Sequence, residues 1–83
     1  MKSPATSYNF LWYSLVVNDT VIQIEVVLNF LNTLLSKAIF FKDGESIEKL
    51  HTLRHVVYYG SNFEYDSMLR KLQEIEVILK HYE

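Results

Sequence analysis

The run from Asp19 to Phe41, DTVIQIEVVLNFLNTLLSKAIFF, constrains this chain more than any other stretch. Its apolar residues recur at two periods, and the choice between them decides the fold class. Ile22, Ile24 and Val26 alternate with Gln23 and Glu25, as in a half-buried strand, and Asn18-Asp19 could turn a hairpin between two β-branched runs. The helical period lasts longer. Ile24, Val27, Leu28, Leu31, Leu34, Leu35 and Ala38 fall on one face, with Glu25, Asn29, Asn32, Thr33 and Ser36 opposite. A helix start is also written there. Thr20 and Gln23 fit a capping box, in which two polar side chains three residues apart satisfy orphan backbone amides. Asp19 adds negative charge at the positive end of the helix dipole. The spacing predicts one long helix over about 20–41. The alternative is an N-terminal β-hairpin followed by helices, an α+β chain.

Downstream, Lys42-Asp43-Gly44-Glu45 reads as a turn, and Ser46 as the N-cap of a second helix over 46–59. Ile47, Leu50, Leu53 and Val57 form its core stripe, and Gly60 stands where a left-handed C-terminal cap is expected. Ser61 or Asn62 would cap a third helix over 63–82, with Tyr65, Met68, Leu69, Leu72, Ile75, Leu79 and Tyr82 facing the core. Asp66–Arg70 and Glu76–Lys80 are favourable pairs one turn apart on its outer face. Upstream, residues 1–7 read as a flexible tail. Tyr8 to Val17, YNFLWYSLVV, is a short apolar run that could be helix or strand. The expected object is an all-α bundle in one domain over 8–83, with three helices, or four if 8–17 forms its own. A long helix followed by two shorter ones is similar in outline to small bacterial regulators linked to biofilm control.

A chain of 83 residues folding alone buries only roughly 64% of its unfolded surface. Self-association is a common remedy at that size. The long helix supplies a surface for it. Ile22, Val26, Phe30, Phe40 and Phe41 lie off the main stripe, and with Trp12 they exceed what two short helices cover. We therefore expect a homodimer centred on these residues, or another protein in place of the second copy.

The remaining composition excludes more than it assigns. Without Cys there is no disulfide and no thiolate metal site. Eight basic residues scattered among ten acidic ones, net −2, disfavour a sequence-independent grip on nucleic acid. Lys2 followed by Phe10 to Val17 has the outline of a leader but lacks a small-x-small cleavage site. Gln23, Glu25, Asn29, Asn32, Ser36 and Lys37 interrupt the run that is long enough to span a membrane. The expectation is a cytoplasmic protein with no membrane span.

Catalytic chemistry finds no foothold. No Ser sits in a nucleophile elbow, and two isolated glycines cannot build a phosphate loop. Glu48, His51 and His55 have a spacing that could present metal ligands, but a full set needs more, and the plain reading is a solvated helix face. Tyr58, Tyr59, Phe63 and Tyr65 could stack bases, yet the cationic groove that goes with stacking is thin. Tyr is also favoured at protein interfaces. The leading expectation is a small non-enzymatic regulator or adaptor of bacterial or phage type, acting as an inhibitor, chaperone or immunity protein. It would have no catalytic, cofactor or metal residues, and would engage its partner through His51, His55, Tyr58, Tyr59 and Tyr65. The alternative is a dimeric nucleic-acid-binding transcriptional regulator using Arg54, Arg70 and Lys71 with the two histidines.

Overall fold

The computed structural model describes the backbone of residues 4–60 and 63–83, and the side chains of 19–60 and 63–83. Three helices follow one another: α1 (Pro4–Phe40), α2 (Gly44–Tyr59) and α3 (Tyr65–Lys80). No strand occurs among the described residues, so the fold is all-α and the hairpin alternative falls.

The boundaries of the long helix correct the sequence reading. Thr20 is not an N-cap, because α1 runs through it from Pro4, 37 residues in all. Asn18, Asp19 and Thr20 are polar but contain neither Gly nor a second Pro, so nothing there obliges the helix to stop. The capping box with Gln23 therefore does not form. Residues 8–17 are neither a strand nor a separate fourth helix, and being collinear with 20–40 they cannot fold back over its flank. Of the expected tail, residues 1–3 lie outside the described residues, and Pro4 opens α1 at the helix position that tolerates its missing N–H.

Helix lengths set the shape. At 1.5 Å per residue α1 is about 55 Å long, and the two 16-residue partners about 24 Å each. Both lie along the C-terminal part of α1 and touch each other little, giving extents of 61 × 23 × 17 Å. The core is where the three overlap. Val27, Leu31, Leu34 and Ala38 of α1, spaced four, three and four, meet Leu50 and Leu53 of α2 and Met68, Leu72, Ile75 and Leu79 of α3. Phe30, Leu35, Phe41, Val57 and Tyr65 pack around its edge. Between Asp19 and Val26 no side chain is buried.

The turn after α1 falls where expected, but left-handed backbone does not. The Asp43 amide donates to the Ala38 carbonyl (3.0 Å) and the Lys42 amide to that of Ile39 (3.1 Å), the paired bonds of a Schellman end. That end needs a left-handed residue, and Lys42 supplies it with φ 57°. At the end of α2 the left-handed cap expected of Gly60 does not form: its φ of −73° and ψ of 139° are extended. Its glycine character serves close approach instead, since a Cβ there would run into the Val56 carbonyl that accepts its N–H. A left-handed non-glycine costs roughly 1 kcal/mol. Lys42→Gly is therefore expected to raise stability by about 1 kcal/mol, read as a higher urea midpoint at unchanged slope.

Ser46 is likewise not the N-cap of α2. Asp43 is: its carboxylate accepts the Ser46 amide (3.3 Å) and the Ser46 hydroxyl (3.0 Å), so the helix starts two residues early and Ser46 is buried in its first turn. The Tyr82 hydroxyl, beyond α3, comes close to the Asp43 carboxylate, and its ring stacks on Phe41 at 5.0 Å. Lys37 and Glu83 pair across the same end at 3.6 Å. At the start of α3, Glu64 occupies the cap position without a side-chain bond, and Ser61 and Asn62 lie outside the described residues. Asp66–Arg70 and Glu76–Lys80 do not close; among the described residues the ion pairs are Lys37–Glu83 and Lys49–Glu45.

Candidate functional site

The residues with the most chemistry gather on α2. Positions 51, 54, 55, 58 and 59 fall on adjoining strips of the helix surface. His51, Arg54, His55, Tyr58 and Tyr59 there line an open concavity of about 340 Å³. All five are exposed, Tyr59 at 78%. They are nonetheless organised. The Arg54 guanidinium lies 5.8 Å from the Tyr58 ring centroid, within cation–π range. The His55 ring leans on Tyr59 at 4.8 Å. Tyr58 and Tyr59 are 6.3 Å apart. Tyr65 takes no part in this lining; it is half-buried against the core.

Glu48, one turn before His51, is not part of that lining. It lines a second groove, about 470 Å³, between α2 and α3, floored by Leu53 and Ile75 and rimmed by Glu74 and Lys71. Glu48, His51 and His55 share one face of α2, but Glu48 lines a different concavity from the two histidines. Among the described residues no three His, Asp or Glu side chains converge to hold a metal ion.

The apolar flank of α1 is also divided. Ile22 (55% exposed) and Val26 (42%) face solvent, as does Phe40. Phe30 and Phe41 do not, because both pack against the core. The Trp12 side chain lies outside the described residues. Sequence reasoning passed over Val21 and Ile39, which share a strip on the other edge of α1 and are also exposed. The same helical wheel could have found them. Asp19–Phe40 is long and apolar enough to cross a membrane by length and composition, with mean hydropathy 1.2. One face of that segment is occupied in the bundle core.

Compared with protein-family models, curated proteins and solved structures, the chain matches none of them.

Proposed function

We propose that the chain is a small non-enzymatic adaptor or regulator that works by binding protein, its first partner being a second copy of itself. The observation that carries this reading is the stretch of α1 between Asp19 and Val26. It contains no buried side chain, yet offers Val21, Ile22 and Val26 to solvent. A helix that is apolar and uncovered stands at the entrance to a still longer apolar run, residues 8–17. Contiguous apolar surface of this kind marks an association site. A two-fold pairing along α1 would cover it with the same residues from both copies.

The nucleic-acid reading has less behind it. Arg54 and Lys71 line different concavities, and Lys71 shares its own with Glu45, Glu48 and Glu74. Cations dispersed in this way do not track a phosphate backbone.

Sedimentation velocity at micromolar concentration tests the proposal. The expected result is a dimer that the double variant Ile22→Glu/Val26→Glu converts to monomer with an unchanged helical spectrum. A wild-type monomer with a cooperative melt would overturn it.

A further inference from the structure

The concavity on α2 holds a cation with no carboxylate in its lining. Arg54 is in none of the ion pairs among the described residues, and no carboxylate lines the concavity it shares with His51, His55, Tyr58 and Tyr59. The sequence keeps this neighbourhood clear: between Glu48 and Glu64 there is no Asp or Glu. In a chain of net charge −2 such a clearing is a local reversal of sign. The Tyr58 ring beneath the guanidinium limits where it can go without neutralising it. The five donors of the fork stay free to meet a carboxylate in two-pronged fashion. Tyr and Arg are also the residues in which binding energy concentrates at protein interfaces.

The geometry points to a docking site for an acidic peptide segment of a partner protein, with Arg54 as its carboxylate anchor and Tyr58 and Tyr59 as its walls. The site rests on the reading of the chain as a protein-binding module, but uses a surface distinct from the α1 flank. Its occupant is a short segment with a few carboxylates. A polyanion is disfavoured, because the concavity offers one permanent cation and the acidic balance of the chain repels extended negative charge. Apolar or aromatic residues beside the carboxylates would lie against Tyr59, whose ring is largely open.

Selection of a random twelve-residue peptide library displayed on phage against the full chain tests the site. A labelled peptide of the enriched class is then measured by fluorescence anisotropy. The expected outcome is enrichment of Asp- and Glu-bearing sequences with neighbouring apolar residues. Their binding should weaken at least tenfold in Arg54→Ala and in Tyr59→Ala, weaken less in Arg54→Lys, and stay unchanged in Arg70→Ala. Each variant alters an exposed position, and a wild-type circular dichroism spectrum and melt confirm its fold. No enrichment, enrichment without acidic bias, indifference to Arg54→Ala, or preferential binding of a twenty-residue oligothymidylate would each overturn the proposal. The Ile22→Glu/Val26→Glu variant is run in parallel. Retained peptide binding there shows that the α2 site stands whether or not the chain dimerises through α1.

Discussion

Replacing Leu31 with Ala is expected to lower the unfolding free energy by about 3 kcal/mol. Leu31 has no solvent exposure and sits in the buried file Val27–Leu31–Leu34–Ala38, facing side chains from both shorter helices. Truncation loses the transfer energy of the removed carbons and leaves a cavity that packing from two sides cannot close. A domain of 83 residues has a total stability of roughly 4–12 kcal/mol, so the loss is a large share of it. Urea unfolding followed by far-ultraviolet circular dichroism gives the number. Leu35→Ala, at a half-buried position on the same helix, should cost less than half as much. A loss below 1 kcal/mol at Leu31 would mean that α2 and α3 do not clasp α1 there.

Asp43→Ala should lower Tm by roughly 10 °C, more than an ordinary cap does, because it removes two things at once. The first turn of α2 loses its cap, and the buried Ser46 hydroxyl loses its acceptor. The same contacts set a pH signature. Bonds from the Ser46 hydroxyl and amide, then from Tyr82, hold the Asp43 carboxyl below its ordinary value of 3.8. A depressed acid stabilises the fold above its unfolded value, and that contribution disappears as pH falls through the folded one. The bond to Asp43 raises the Tyr82 phenol above its ordinary 10.0, so its contribution is present below that value and is lost on further alkalinisation. Thermal melts across pH should therefore show Asp43→Asn flattening the limb below about pH 4 and Tyr82→Phe flattening the limb above about pH 10. Wild-type slopes at both ends of the Asp43→Asn profile would refute the linkage.

Packing was easier to read from the sequence than punctuation. The buried apolar residues of all three helices lie on the stripes that the 3.6 period marks, because burial of a helix face is written redundantly over many positions. Caps are decided by single competitions between neighbours. Asp43 prevails over Ser46 because its carboxylate can accept from both the amide and the hydroxyl of Ser46. The left-handed residue is Lys42 at the end of α1, where two good Schellman bonds outweigh the cost of its Cβ, and the cap expected of Gly60 at the end of α2 does not form. Thr20 loses its cap role to a helix that simply continues. The site was legible to a similar depth. His51, His55, Tyr58 and Tyr59 stand out as an unburied face of α2, but the groove that Glu48 lines is made with α3, whose position no local pattern encodes.

The two ends of the bundle differ mechanically. At one end Asp43, Ser46, Phe41 and Tyr82, with the pair Lys37–Glu83, tie the finish of α1, the start of α2 and the finish of α3 together. At the other end, among the described residues, packing of Val56, Val57, Phe63, Tyr65 and Met68 holds the α2–α3 connection, and neither ion pair lies there. The side-chain ties between helix ends therefore gather at the Asp43 end, while Tyr58 and Tyr59 lie at the opposite end of α2. A load applied at those tyrosines would fall on the end of the bundle that side-chain packing holds.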